Sequence, residues 1–197
     1  MRVTIGELPL ERWPEAGALA GRAFWTEAYM RVFADDPVRR FATLQDVYAR
    51  MDVSSPDITR LAAFAGSHIV GVACIDRPGT CSFCATDPDR TPDDEPGRIL
   101  HAVDLVIRDL HRALPEHHAN VGPIAVEPQM QGLGIGHQLV EAAWAAALAH
   151  GPETVALDCD PHLQTFYESH GFRPIGSGTD PWGFEIVALR RDPDPHE

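Results

Sequence analysis

The chain contains no lysine: its 16 cationic side chains are all arginine, against 29 carboxylates, for a formal net charge of −13. Phosphate contacts dominate nucleic-acid affinity, so a chain this acidic is not expected to hold nucleic acid. Surplus acid suits a cationic or amine substrate, and it also serves solubility. Long apolar runs are missing too. None approaches the roughly 20 residues a membrane-spanning helix needs, so no membrane partner is expected. The start, Met1 to Glu7, lacks a charged head followed by an apolar block. No secretory leader is expected there, which favours a cytoplasmic location. Cysteine is scarce, with four residues at 74, 81, 84 and 159. Cys81-Ser82-Phe83-Cys84 is a lone Cys-x-x-Cys, and no second pair or finger-like histidine pair stands close by in sequence. Structural zinc normally requires such a second pair. Free thiols in a loop, and no metal, are the expectation.

What is present suffices for one domain with a real core: 197 residues, 44% of them apolar. The expected domain is 1–191, with a frayed acidic tail at 192–197. Val3 to Leu8 reads as a strand. Pro14 suits a first helical turn, and Leu19, Ala20, Ala23 and Phe24 form an apolar helical face. A second short helix is expected over 38–51. Two runs split by Gly66-Ser67 read as a β-hairpin, and Arg77 to Gly97 as a long loop. Ile99, Val103, Val106, Leu110 and Leu114 recur at helical spacing, predicting a helix over 98–114. A buried strand over 121–126 and a helix over 134–150 follow. Then come a strand over 154–158, a short helix over 161–169 and two final strands at 172–175 and 184–189. Strands mixed with helices, with one hairpin early and another late, indicate an α/β (α+β) fold. Its central sheet should be mixed, mostly antiparallel and flanked by helices.

Between the 121–126 strand and the next helix lies Gln131-Gly132-Leu133-Gly134-Ile135-Gly136. A helix start presents unpaired N–H groups and the positive end of the helix dipole. Small residues there let an anion reach the backbone, so this is a seat for a phosphate group. The P-loop pattern fails because His137 and Gln138 follow Gly136 where lysine and a hydroxyl are needed. The dinucleotide pattern fails because position 137 is histidine rather than glycine. The pattern Gln/Arg-x-x-Gly-x-Gly/Ala is filled by Gln131, Gly134 and Gly136. About 30 residues later stands Phe166-Tyr167-Glu168-Ser169-His170-Gly171-Phe172, a Tyr-x-x-x-Gly-Phe element. In these two segments and their order, the sequence resembles the GNAT superfamily of N-acetyltransferases.

The resemblance implies acetyl-CoA as cosubstrate. Its pyrophosphate would rest on the amides of Gln131, Gly132, Leu133, Gly134, Ile135 and Gly136. Its pantetheine arm would lie along Ile124, Ala125 and Val126 like an added strand. Tyr167 matches the tyrosine that, in many members, protonates the departing CoA thiolate. Asp160 stands where many members carry an asparagine that touches the cofactor, and this departure weakens it as a ligand. The attacking amine must lose a proton, and His118, ahead of the central strand, is a candidate base by residue type and position. Substrate selection in the family points to Phe24, Trp25, Tyr29, Asp35, Asp36 and the loop after Arg77. The activity expected is transfer of acetyl from acetyl-CoA to a small-molecule amine by direct attack, in a chain that can also be a homodimer. The alternatives are an acetyltransferase of proteins or peptides, and a non-catalytic acyl-CoA sensor. Without lysine, no self-acetylation can fall on a lysine side chain.

Overall fold

The computed structural model of the chain describes residues 2–194, apart from the side chain of Tyr29. Seven strands form one sheet in the order β1-β2-β3-β4-β5-β7-β6. They are β1 (Val3–Glu7), β2 (Ile58–Ala65), β3 (His68–Asp76), β4 (His118–Val126), β5 (Thr154–Cys159), β6 (Arg173–Thr179) and β7 (Glu185–Arg191). Every pairing is antiparallel except β4 with β5. The helices are α1 (Trp13–Phe24), α2 (Pro37–Ala49), α3 (Glu95–His111), α4 (Ile135–Leu148) and α5 (Gln164–Glu168). The mixed, mostly antiparallel sheet with flanking helices is the fold class expected. Among the described residues no helix is long and apolar enough to cross a membrane.

The central strands are buried on both faces, and their side chains alternate between two cores. Val72 and Cys74 join α1 and α2 in one cluster, whereas Ala73 and Ile75 join α4 in the other. α3 packs over β6 and β7, where Gly176 and Gly178 leave room for Leu110 and Val106. It starts at Glu95 rather than 98 because Asp94 caps it, accepting from the Gly97 N–H at 2.8 Å. The long loop is therefore 77–94. The tail is tied down further than expected. Asp192 accepts from Thr154 Oγ1 at 2.7 Å and pairs with Arg173; residues 195–197 lie outside the described residues.

The parallel pairing of β4 with β5 is brief: His118, Ala119 and Asn120 face Thr154, Val155 and Ala156, and it goes no further. Beyond Asn120, β4 stays on β3 through Val126, with an irregularity opposite Ala73 to Ile75. β5 stays on β7 through Cys159. The two central strands therefore fork, leaving the β4 edge from Val121 onward without a strand partner on that side among the described residues.

α1 and α2 pack backbone to backbone. A Cβ at Gly21 would stand 2.4 Å from the Leu44 carbonyl oxygen, and one at Gly17 would stand 2.3 Å from that of Tyr48. Glycine inside a helix costs roughly 0.5–1 kcal/mol, and close approach is what offsets it here. Gly21→Ala should thus destabilise the protein, by about 1–3 kcal/mol on the scale of overpacked cores, despite alanine's higher helix propensity. Urea unfolding followed by circular dichroism measures this; a stabilised variant would mean that the two helices are not in backbone contact.

Candidate active site

The segment after β4 is pinned before the glycine turn begins. The Glu127 N–H bonds the Val70 carbonyl at 3.0 Å, and the Glu127 carboxylate takes a two-oxygen ion pair from Arg22 of α1, closest approach 2.6 Å. Gln131 Nε2 donates back to the Val126 carbonyl at 3.2 Å. Gly132 and Gly134 then take left-handed φ values of 75° and 77°, and a Cβ on either would meet nothing within 4 Å. Their absent side chains thus serve backbone conformation and leave the turn open to solvent. α4 begins at Ile135, and its first-turn amides have no intrahelical acceptor. The expected cofactor residues Gln131 to Gly136 thus form an open turn at a helix N-terminus, able to receive an anion. Ile124, Ala125 and Val126 pair with β3 on one side and face the fork on the other.

The fork opens into a cavity of about 350 Å³. Its apolar wall includes Phe24, Val103, Ile107, Val121 and Ile186, and its acidic groups are Glu27, Asp104, Asp158 and Asp160. Among the described residues, four carboxylates line it and no arginine does. Tyr167 reaches the cavity from α5, buried at 6% exposure and packed edge-on to Phe166 and Phe172. Burial raises its phenol well above the ordinary value, helped by the nearby Cys159 and Glu27, so it stays protonated.

The carboxylates differ. Burial acts to raise Asp160, but hydrogen bonds from His162 and from the Ala28 N–H at 3.1 Å prevail and hold it below the usual range. Asp160 therefore ties the helical segment at 28–33 to the end of β5. Glu27 is raised by burial, against a lowering pull from His162, and its Oε2 is buried with no hydrogen-bond partner. Asp158 bonds His111 Nε2 through Oδ2 at 3.1 Å, leaving Oδ1 buried and unpartnered. Asp104 sits on α3 with burial as the sole cause of its shift, up to about 7.

His118, the expected base, does not line the cavity. Its Nδ1 is spent on the Pro115 carbonyl at 2.6 Å and its Nε2 faces Cys84 Sγ at 3.8 Å. The ring is buried beside other side chains, outside the cavity lining. Cys159 lines the cavity, but burial pushes its thiol up to about 12, so it is not an activated nucleophile. Of the residues expected to select substrate, Phe24 lines the cavity, and the long loop supplies Ser82 and Phe83. Trp25 packs instead against Phe41, and Asp36 caps α2. Asp35 is exposed. The side chain of Tyr29 lies outside the described residues. Glu27, Asp104 and Asp158 escaped the sequence reading. Only Asp158 left a signal there, a charge inside the otherwise apolar strand Val155-Ala156-Leu157-Asp158-Cys159.

Residues 111–191, from the end of α3 through β7, match the family model described as acetyltransferase (GNAT) domain. Over that stretch the chain is similar to GNAT acetyltransferases. Solved structures share its fold across nearly the whole chain. Agmatine N-acetyltransferase, as an apo mutant, is 15% identical with a TM-score of 0.69, covering 98% of this chain and 100% of its own. Aminoglycoside 6'-N-acetyltransferase in complex with coenzyme A is 13% identical, with a TM-score of 0.58 and coverage of 98% and 99%. The ribosomal-protein-S18-alanine N-acetyltransferase of Escherichia coli is 16% identical, with a TM-score of 0.56 and coverage of 97% and 94%. No curated protein matches the chain.

Asp104, on the cavity wall, carries a consequence for pH. Its folded-state carboxyl titrates near 7, against about 3.9 in an unfolded chain. Between these values the fold holds a proton that the unfolded chain has released, so this group's contribution to stability falls as pH rises. Asp104→Asn should therefore stabilise the protein, by about 1–2 kcal/mol at pH 8 after allowing for partial exposure, with the gain growing from pH 5 to 7 and levelling above. Thermal melts across that range check it; a gain independent of pH would mean that Asp104 ionises normally.

Proposed function

We propose that this protein is an acetyl-CoA-dependent N-acetyltransferase of a small-molecule amine with an apolar body, working by direct attack on the thioester. The observation that carries this reading is a cavity at the β4–β5 fork, lined among the described residues by four carboxylates and no cation, beside a buried Tyr167. Its volume falls in the range of small-molecule sites. Amines are cations at neutral pH, and low-dielectric walls bearing one sign of charge concentrate the opposite sign. The agmatine acetyltransferase, alike in fold, is named for an acceptor of that charge. The reading treats residues 1–191 as one acyltransferase domain, supported by the single sheet that holds all seven strands.

Acetyl-CoA fits the other half of the fork. The free edge of β4 from Val121 to Val126 offers backbone groups to the amides of pantetheine. The open turn at Gln131 to Gly136 offers N–H groups to the pyrophosphate. Both features are intact, which favours turnover over mere sensing.

An ammonium has no lone pair, so a base must act first. Glu27 suits that role better than His118. It lines the cavity, has a buried Oε2 that makes no hydrogen bond and stands 3.7 Å from His162 Nδ1, and has its carboxyl raised by burial. Tyr167 then gives its proton, or a strong hydrogen bond, to the departing thiolate. A phenol that stays protonated at every working pH is always ready as the donor.

Two variants separate binding from chemistry. Gly134→Asp places a strained left-handed side chain and a negative charge in the turn. It should weaken acetyl-CoA at least tenfold by titration calorimetry; unchanged affinity in a folded variant removes the turn from cofactor binding. Tyr167→Phe should lower kcat by about ten- to a thousandfold while leaving acetyl-CoA affinity near that of the parent. Turnover with a panel of alkylamines, diamines, arylalkylamines and peptides tests the acceptor class. Faster acetylation of a peptide N-terminus than of any small amine would overturn the small-molecule reading.

A further inference from the structure

We propose that Cys81, Cys84, His111 and His118 form a closed tetrahedral zinc site that fastens the 77–94 loop to α3 and β4. The proposal is independent of the acceptor assigned above. One ligand atom from each of the four residues lies within 4.8 Å of all the others. Cys81 Sγ stands 3.4 Å from His111 Nδ1, and Cys84 Sγ stands 3.8 Å from His118 Nε2. A tetrahedral ion with Zn–S near 2.3 Å and Zn–N near 2.0–2.1 Å requires S···N edges of about 3.5–3.6 Å, between the two observed values.

The imidazoles are oriented for ligation. A carbonyl oxygen only accepts, so His118 Nδ1, 2.6 Å from the Pro115 carbonyl, carries the ring proton, and its lone pair at Nε2 faces Cys84. His111 makes the mirrored choice. Its Nε2 meets the Asp158 carboxylate at 3.1 Å and its Nδ1 faces Cys81. A histidine that gives one nitrogen to a carbonyl or carboxylate and aims the other at a common point is the usual arrangement around bound zinc. The rings sit edge-to-face with centroids 5.3 Å apart, and His111, His118 and Cys81 are each 4% exposed or less. The Cys-x-x-Cys turn is held from below as well. Asp76 Oδ2 accepts from both the Ser82 N–H and hydroxyl at 2.8 Å, and the Ala85 N–H bonds the Cys81 carbonyl at 3.3 Å.

Binding would release two thiol protons, and the two thiolates would balance the dication. Four protein ligands leave no open coordination position, which makes the ion structural rather than catalytic. Its effect on the site is through placement. The turn carries Ser82 and Phe83, and His111 holds Asp158; all three line the cavity. The ion would thus fix one wall of the acceptor side. Free thiols and no metal, expected from the sequence, give way here because the second ligand pair is far along the chain. His111 ends α3 and His118 opens β4, seven positions apart, so no finger-like spacing announces them.

The test is metal analysis of the full chain, purified with reductant and dialysed. The expected content is one zinc per chain by mass spectrometry of the metal. Replacement with Co(II) alone should give thiolate-to-cobalt charge transfer and the intense visible bands of a tetrahedral ion. Cys84→Ser, at an exposed position, and His118→Gln should each cut zinc content to about a tenth or less. His150→Gln, outside the cluster, should retain it. Folding of each variant is followed by circular dichroism with and without added zinc. Reduced, folded parent protein that takes up no zinc at micromolar free metal would overturn the proposal. So would full zinc content in both ligand variants, or a Cys81–Cys84 disulfide whose reduction restores no zinc binding.

Discussion

The structure turns on a pairing that stops. β4 and β5 share only three residue pairs, ending at Asn120 with Ala156. Backbone groups released from a ladder must find other partners, and here they are released toward a cavity rather than toward bulk solvent. The fork in turn fixes where everything else can be. β4 leads its free edge directly into the glycine turn, and β5 delivers Asp158, Cys159 and Asp160 to the opposite wall. A sheet paired to its ends would hold the same helices and the same cores with no room for a ligand.

Holding the fork open requires that each strand be secured on its other side. β4 keeps β3 through Val126, and the Arg22–Glu127 pair clamps its end to α1. β5 keeps β7 through Cys159, and Asp160 clamps its end to the Ala28 backbone. Both clamps join the sheet to the N-terminal helical segments. Asp104 has no such bond, and unlike Asp160 it is pushed upward rather than downward. Burial without compensation makes a charge costly. A cationic acceptor would supply the missing counter-charge, so the features that make Asp104 a burden to the empty fold would make it useful to the loaded one.

Much of this was legible in the sequence because it rests on local patterns. The turn at Gln131 to Gly136 and the Tyr167 element are contiguous. The helix over α3 follows from a 3.6-residue period, missed at its start only by the Asp94 cap. What escaped depends on residues brought together by topology. Glu27 lies between two helical segments with no periodicity to mark it. Asp158 was visible as a lone charge in an apolar strand, but its partner His111 is on α3, 47 positions earlier. His118 was noticed for its residue type and its place before the central strand. Residue type alone could not tell a base facing substrate from a ring whose nitrogens are both engaged elsewhere.

The same long-range convergence bears on how the two halves of the site communicate. Asp158 lines the cavity, bonds His111 through Oδ2 and keeps a buried Oδ1 without a hydrogen-bond partner. His111 stacks edge-on against both Phe83 of the loop and His118 of β4. A change in charge at Asp158, such as an ammonium arriving in the cavity, would therefore act on the His111 ring as well as on the loop residues Ser82 and Phe83 that line the cavity. In a low-dielectric interior such a chain of polar contacts is stiff, because each member has little solvent to substitute for its neighbour. Four ligands on one ion would make it stiffer, joining the loop, α3 and the start of β4 just below the point where the central strands part.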